Sequence, residues 1–118
     1  MIALRRKNIR CLSSSTKRSL MYLLRIEHPV PNYVGWKQAF DSDPVGREKL
    51  GVRRYQILRA VDDPNYVMID LEFDTAREAE ALLAAMRVVW GQVDGKIIHG
   101  PKARIVEAVE IKQYGGHP

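Results

Sequence analysis

Two stretches of alternating apolar and polar residues flank one turn near the middle of the chain. The run Asp62-Asp63-Pro64-Asn65 consists of residue types that favour turns, so Val52 to Val61 and Tyr66 to Asp74 are predicted to form a β-hairpin. In the second strand, one side carries Val67, Ile69, Leu71 and Phe73, and the other carries Tyr66, Met68, Asp70 and Glu72. The first side is predicted to face the core. The second is too polar for another core and rather apolar for plain solvent, so a partner subunit could cover it.

The segment before the hairpin predicts a strand followed by two helices. Leu20 to His28 alternates as a strand, with Leu20, Tyr22, Leu24, Ile26 and His28 on one side. After Pro29, Asn32 is the expected N-cap of a helix that presents Tyr33, Trp36 and Phe40 on one face. Asp43 and Pro44 suit the cap and first position of a short second helix, which would run through Leu50 and close at a left-handed Gly51.

The segment after the hairpin predicts a long helix and a last strand. Thr75 and Glu78 form a capping box. One face of the helix then carries Ala76, Ala79, Leu82, Leu83, Met86 and Trp90. A glycine-containing loop from Gly91 to Pro101 leads into a strand from Lys102 to Lys112.

This order of elements, βαββαβ, favours a ferredoxin-like α+β sandwich. A right-handed crossover from the first strand leaves a gap in the sheet that the hairpin fills, giving a four-stranded antiparallel sheet with both helices on one face. The other face stays bare and is an association surface. Two such sheets packed face to face would form a symmetric dimer.

Composition argues against several classes of protein. With 118 residues and one cysteine, Cys11, the chain needs neither disulfides nor a structural metal to fold. The net charge is +5, but residues 1–19 hold six of the 19 basic residues and no acid, which leaves 13 basic against 14 acidic residues, or −1, for the rest. Because a nucleic-acid domain would carry its basic stripe on the fold itself, nucleic-acid binding is not expected.

The predicted organisation is a basic extension over residues 1–19, a domain over 20–112 and a tail over 113–118. The extension admits three interpretations: a disordered tail, a transit peptide, or a segment upstream of a domain that starts at Met21, which we favour. The sequence holds no apolar run long enough for a transmembrane helix and no apolar core of a secretory signal. A cytoplasmic protein without membrane association is expected.

Several short motifs along the chain together resemble those of a known group of proteins. They are His28-Pro29-Val30-Pro31-Asn32-Tyr33, Trp36-Lys37, Phe40-Asp41-Ser42-Asp43-Pro44, Gly46-Arg47, Gly51-Val52-Arg53-Arg54-Tyr55, Asp62-Asp63-Pro64-Asn65 and Asp70-Leu71-Glu72-Phe73-Asp74. With these motifs, the stretch from about Met21 to Glu110 resembles small bacterial proteins of the dimeric α/β-barrel superfamily, some of which are labelled cyclases or uncharacterised proteins.

The resemblance implies a fold and a range of activities, since fold alone does not choose among them. The superfamily includes cofactor-independent quinone-forming monooxygenases, haem-degrading monooxygenases, polyketide cyclases, lactone isomerases and members without known activity. Its pockets typically lie within each subunit between the sheet and the helices. The haem-degrading branch is usually recognised by an Asn on the first strand and a His on the second helix, and this chain has neither. No cofactor and no metal are expected.

His28 is the candidate catalytic residue. It ends the first strand beside the aromatic helix, where an imidazole can act as a general acid or base near neutral pH. The alternative is a histidine satisfied by backbone groups. His99 lies in the glycine-flanked loop and His117 in the tail, so neither is favoured.

Aromatic residues are the candidate lining of a ligand pocket, since such pockets are mostly apolar with few polar groups. The candidates are Tyr22, Tyr33, Trp36, Phe40 and Trp90. The alternative is ordinary packing between helix and sheet, which is expected for at least two of Tyr33, Trp36 and Phe40.

The candidate dimer face is the polar side of the hairpin, with Tyr66, Met68, Asp70 and Glu72. Asp70 and Glu72 share a face, so they either share a proton or form ion pairs with Arg53, Arg54 or Arg104. We favour the ion pairs.

Two functional hypotheses follow. The first is a homodimeric, cofactor-free monooxygenase, cyclase or isomerase for an aromatic or polyketide-like molecule. The second is a non-catalytic homodimer that binds a small molecule or a protein, in which the aromatic residues are fully packed.

Overall fold

The computed structural model of the protein describes residues 21–94 and 96–115. It contains the strands β1 (Tyr22–Pro29), β2 (Arg54–Ala60), β3 (Asp63–Phe73) and β4 (Lys102–Glu107), and the helices α1 (Tyr33–Ser42) and α2 (Ala76–Val93). The four strands form one sheet in the order β2-β3-β1-β4, and every neighbouring pair is antiparallel. The predicted ferredoxin-like α+β sandwich is confirmed.

The two sides of the sheet differ as the alternation predicts. On the side that packs against the helices, Val67, Ile69, Leu71 and Phe73 of β3 are at most 3% exposed. Leu24 and Ile26 of β1 join them, together with residues of the two helices, so this side holds the core. The opposite side, which we call the open face, carries the charged residues of the same strands.

The predicted starts of α1 and α2 are confirmed, because side chains satisfy the first free backbone N–H groups. Asn32 accepts a hydrogen bond from the Gly35 N–H at 3.0 Å. Thr75 accepts one from the Glu78 N–H at 3.2 Å, and Glu78 accepts one from the Thr75 N–H at 3.3 Å. No helix among the described residues is long and apolar enough to cross a membrane.

The predicted turn of the hairpin is displaced towards its first strand. The structure turns at residues 61–62, and β3 already begins at Asp63, which pairs with Ala60. The next pair is Arg59 with Val67, so residues 64–66 form a bulge in β3. Pro64 has no N–H to donate to a ladder, and a bulge is one of the few places where a strand tolerates proline.

The predicted second helix is wrong. Residues 44–51 form a series of turns, because two positions adopt left-handed backbone conformations that a right-handed helix cannot include. Asp43 has φ 52° and closes α1 instead of opening a new helix, and Gly46 has φ 71°. The predicted left-handed glycine is confirmed, since Gly51 has φ 105°.

The last strand is shorter than predicted and α2 is longer. β4 ends at Glu107, and its final contact with the sheet is a hydrogen bond of 3.0 Å from the Ala108 N–H to the Met21 carbonyl. α2 continues to Val93, three residues into the predicted loop. The predicted extension over residues 1–19, residue Leu20 and residues 116–118 of the predicted tail lie outside the described part of the chain.

Candidate functional site

A small cavity lies between the sheet and the helices, next to the end of β1. Its volume is about 30 Å³. Apart from aliphatic side chains of the core, it is lined by His28, Trp36, Phe40, Arg47, Met86 and Trp90. Such a volume accommodates about one or two water molecules, whereas pockets for organic ligands usually measure at least about 300 Å³. The cavity is therefore closed to organic ligands and has room for about one or two water molecules only.

His28 is almost completely buried in the wall of this cavity, with 2% of its surface exposed. Its Nδ1 lies 3.2 Å from the Pro29 carbonyl oxygen. A carbonyl oxygen only accepts, so Nδ1 carries the proton in the neutral ring and Nε2 has a free lone pair. Among the described residues, no hydrogen bond to Nε2 is found. The alternative prediction was that backbone groups provide the hydrogen-bond partners of this histidine. It holds for Nδ1 and not for Nε2.

The environment of His28 keeps the imidazole neutral at neutral pH. Burial lowers its pKa below the ordinary value of 6.5, because desolvation disfavours the charged ring. The hydrogen bond with the Pro29 carbonyl acts in the opposite direction and is the weaker effect, and the nearby His99 adds a small further lowering. A neutral, buried imidazole with a free lone pair is suited to accept a proton.

Aromatic rings of α1 pack in a continuous row beside His28. The ring of Trp36 lies 6.0 Å from the imidazole, edge to face, and 5.2 Å from the ring of Phe40. Of the five predicted pocket residues, Trp36, Phe40 and Trp90 line the cavity. Tyr33 packs on the outer side of Trp36 at 5.7 Å, and Tyr22 lies at the far end of β1 with its hydroxyl 3.3 Å from Glu107. The structure therefore brings three of the five together with His28.

Arg47 is a charged residue of the cavity that the sequence analysis did not select. Its guanidinium donates to the Phe40 carbonyl at 2.8 Å and lies 3.8 Å above the Phe40 ring. It also lies 3.5 Å from the Asp43 carboxylate, and only 11% of its side chain is exposed. The four-residue spacing of Asp43 and Arg47 indicates that the two side chains can pair, but it does not indicate that Arg47 is buried.

The open face has a different character, because its carboxylates have partners. Asp70 accepts two hydrogen bonds from Arg25, at 2.9 and 3.1 Å. Glu72 pairs with Arg54 at 2.6 Å, and the hydroxyl of Tyr66 donates to Glu27 at 2.5 Å. The ion pairs expected for Asp70 and Glu72 are present, with Arg25 in place of Arg53 or Arg104 as the partner of Asp70. Met68, together with Arg25, Glu27 and Asp70, borders a groove of about 470 Å³.

The described residues contain no group of three or more His, Cys, Asp or Glu side chains arranged to hold a metal ion. Within this part of the chain, the ionisable groups at the closed cavity are an imidazole and a guanidinium, whereas the open groove is lined by the Arg25–Asp70 ion pair together with Glu27, Lys102 and Arg104.

Comparison with known proteins identifies the fold. No protein-family model matches the chain, and no curated protein matches it significantly. Among solved structures, a cofactor-independent oxygenase from Streptomyces nogalater superposes with a TM-score of 0.61 at 11% identity, covering 78% of this chain and 95% of that one. A candidate antibiotic biosynthesis monooxygenase from Nitrosomonas europaea gives 0.58 at 19% identity, with 75% and 90% covered.

A third structure, a dimeric ferredoxin-like protein from an uncultured marine organism, gives 0.57 at 8% identity, with 82% and 95% covered. These neighbours have the ferredoxin-like fold that the resemblance in the sequence implied. At these identities the likeness defines the fold and leaves the activity to be argued from the site.

Proposed function

We propose that the protein is a homodimeric, cofactor-independent enzyme that acts on an aromatic or polyketide-like small molecule. The observation that carries this proposal is the pairing of a neutral, buried imidazole and a guanidinium on one cavity: His28 with its free Nε2, and Arg47. A base and a cation in a water-poor site are what the removal of a proton from a carbon acid requires, because the anion that forms needs stabilisation.

The monooxygenase, cyclase and isomerase activities share a first step that this pair of residues can perform. His28 Nε2 accepts a proton from a carbon next to a carbonyl or phenol, and the resulting enolate oxygen is stabilised by the positive charge of Arg47. Reprotonation at another carbon gives isomerisation, and attack of the enolate carbon on a carbonyl of the same molecule gives cyclisation.

In the monooxygenase route, dioxygen is the oxidant. The enolate carbon of a methylene group forms a bond to one oxygen atom and, after protonation, gives a hydroperoxide. Loss of water from that hydroperoxide leaves a carbonyl, so one oxygen atom enters the product and the other leaves as water. The cofactor-independent oxygenase among the structural neighbours supports this route over the other two.

A substrate needs more space than the closed cavity offers, so binding requires the cavity to open. Met86 and Phe40 are only partly buried, and methionine has a flexible side chain that adapts to a ligand. The turns at residues 44–51 contact the end of α1 through Arg47, whose backbone N–H donates to the Asp43 carboxylate and whose guanidinium donates to the Phe40 carbonyl. We propose that the substrate enters between Phe40, Met86 and the turns at residues 44–51. It then replaces the present hydrogen-bond partners of the Arg47 guanidinium.

The open face is the proposed dimer interface. Tyr66, Met68, Asp70 and Glu72 lie on it, and the groove there is bordered by apolar atoms of Met68 and Leu58 next to paired charges. A dimeric ferredoxin-like protein among the structural neighbours supports an assembly of two copies. Native mass spectrometry of the full chain reports the number of subunits directly.

The enzymatic proposal is tested by incubating the full chain with a panel of polycyclic phenols and anthrone-like ketones. Oxygen uptake and product masses distinguish oxygenation from isomerisation and cyclisation. We expect turnover that rises with pH through the lowered pKa of His28 and then stays constant, because only the neutral ring accepts a proton. His28→Asn keeps a donor to the Pro29 carbonyl and removes the base, so turnover should fall about 100-fold or more.

His99→Asn is the matched control, since His99 is exposed in a loop and does not line the cavity. Its turnover should equal that of the unchanged protein. If His28→Asn turns over as fast as His99→Asn, the role of His28 as a base is contradicted.

The small size of the cavity favours a second candidate, a homodimer that binds a partner or small molecule without catalysis. In that case Trp36 and Phe40 are packing residues, as their close ring contacts allow. This candidate predicts no turnover with any member of the panel and no shift in melting temperature with those ligands, whereas a substrate that opens the cavity raises the melting temperature.

A further inference from the structure

A cation and an aromatic ring meet where β2 runs beside α1. The Arg59 guanidinium lies 4.6 Å from the centre of the Tyr33 ring. Nearer the other end of the two elements, the ring of Tyr55 lies 5.1 Å from that of Phe40, edge to face. Both residues of β2 therefore face the helices, and Arg59 lies on the same side of the sheet as the cavity.

The register of the strands places Arg59 in one row with His28. Arg59 of β2 pairs with Val67 of β3, and Val67 pairs with His28 of β1. Residues opposite each other on neighbouring strands point to the same side of a sheet. Since neighbouring strands lie about 4.8 Å apart, the Cα atoms of Arg59 and His28 are about 10 Å apart. A polycyclic molecule can span such a distance.

Aromatic rings of α1 lie between these two residues. The ring of Tyr33 lies 5.7 Å from that of Trp36, and the ring of Trp36 lies 6.0 Å from the imidazole of His28. Tyr33 is only partly buried, so a ligand can stack on its ring or displace it. Aromatic molecules pack favourably against such rings. A ligand that reaches from the Arg59 guanidinium to the imidazole therefore has aromatic surface along its length.

Arg59 keeps its positive charge available for a ligand, unlike the other two cations that lie beside these rings. Lys37 of α1 donates to both carboxylate oxygens of Asp41, at 2.9 and 2.7 Å. The Arg47 guanidinium lies 3.5 Å from the Asp43 carboxylate. In the described part of the chain, no carboxylate lies within ion-pair distance of Arg59. A guanidinium presents N–H groups in a fork that matches the two oxygens of a carboxylate.

We propose that Arg59 binds a carboxylate of the substrate, at the end of the molecule opposite to the carbon that His28 deprotonates. The substrate is then an aromatic or polyketide-like carboxylic acid. The inference rests on the proposed function, because it assigns the second end of the same substrate. Arg59 determines specificity by binding and orienting the acid, and it takes no part in the proton transfer. The proposed entrance beside Phe40 adjoins the same strand, through the contact of Phe40 with Tyr55.

The test compares matched substrates and matched variants of the full chain. Anthrone-like ketones that carry a carboxylate are compared with their methyl esters, which have the same ring system and no charge. Arg59→Gln removes the cation, and Arg87→Gln removes an equal charge from an exposed position of α2. We expect Arg59→Gln to raise the KM for the acid at least about tenfold, with little change in kcat and no effect on the ester. Arg87→Gln should change neither, and Arg59→Lys should restore part of the preference for the acid.

Binding is measured separately from catalysis in His28→Asn, which lacks the base, as the rise in melting temperature with each acid and ester. We expect a larger rise with the acid, and Arg59→Gln should abolish the difference. If acid and ester bind equally, or if the difference persists in Arg59→Gln, the role of Arg59 is overturned, whether or not the panel is turned over. Selective binding of the acid through Arg59 without turnover supports the carboxylate site and contradicts the proposed catalysis. A chain that neither binds nor turns over any member overturns both.

Discussion

The two faces of one sheet bury polar groups in opposite ways. On the side of the helices, His28 is 2% exposed and only one of its nitrogens has a partner in the described structure. On the open face, Asp70 is 7% exposed and its carboxylate accepts hydrogen bonds from Arg25 and from Gln56. Burial alone therefore does not mark a functional group.

The difference lies in what remains available for a reaction. A buried carboxylate that is fully bonded stabilises one arrangement of the sheet, since removing its partners would leave an uncompensated charge. A buried imidazole with a free lone pair is destabilised in its charged form and keeps an unused acceptor. This difference supports the proposal that the chemistry takes place on the closed side of the sheet and the assembly on the open side.

The largest expected effect separates the two faces along one strand. Phe73 is 1% exposed against the helices, so Phe73→Ala should lower the free energy of unfolding by about 3–5 kcal/mol, through lost burial and the cavity that remains. Met68 lies on the open face of the same strand, and Met68→Ala should cost about 1 kcal/mol or less in the dilute protein. Urea unfolding at low concentration measures both, and equal losses would contradict the separation of the faces.

A smaller effect tests whether the open face depends on its ion pairs. The side chain of Asp70 is 9% exposed, whereas that of its partner Arg25 is 60% exposed. Arg25→Gln leaves a buried carboxylate without its cation and should cost about 1–3 kcal/mol. Asp70→Asn returns an exposed guanidinium to water and should cost less, about 1 kcal/mol. Urea unfolding measures the loss of stability in the two variants. A larger loss for Asp70→Asn than for Arg25→Gln would show that the ion pair contributes little.

The sequence predicts the elements of this fold well and the local geometry of its turns poorly. Alternation in β3 and the Thr75 capping box are patterns of neighbouring residues, so they were read correctly without knowledge of the tertiary structure. Asp43-Pro44 looks like a helix start in the same way, but Asp43 closes α1 in a left-handed conformation because its carboxylate binds the Arg47 N–H at 2.9 Å. The choice between the two roles depends on contacts formed after folding.

The candidate site shows the same limit. His28, Trp36 and Phe40 were accessible from their positions on a strand and on one helical face. Arg47 was missed because its burial depends on the Phe40 carbonyl and on the rings of Phe40 and Tyr55, which approach it only in the folded chain. The last strand was predicted to continue to Lys112, whereas β4 ends at Glu107. Alternation shows that a segment can form a strand, but it does not show which strand the segment pairs with.

A third prediction concerns the contribution of His28 to the free energy of unfolding, which should change only at acidic pH. Its pKa in the folded protein lies below the unfolded value of 6.5, so the unfolded chain binds a proton first as the pH falls. The stabilisation from the neutral ring is complete above about pH 6.5 and is lost as the pH falls through the folded pKa. The difference in free energy of unfolding between the unchanged protein and His28→Asn should therefore shrink in acid. His99→Asn, the control, removes only the small lowering that His99 adds to the His28 pKa, so its pH dependence should stay close to that of the unchanged protein. A constant difference for His28→Asn would contradict the assignment.

The smallest effect connects the open face with assembly. The Tyr66 hydroxyl donates to Glu27 at an exposed position, and Tyr66→Phe should have little effect on the stability of the dilute protein, because water replaces the lost donor. If two copies cover the open face, the Glu27 carboxylate is removed from water in the dimer and its lost hydrogen bond becomes costly. Tyr66→Phe should then weaken dimerisation more than it weakens folding. Unfolding measured at low and high protein concentration separates the two effects, and a cost that does not change with concentration would mean that Glu27 stays in water in the assembled protein.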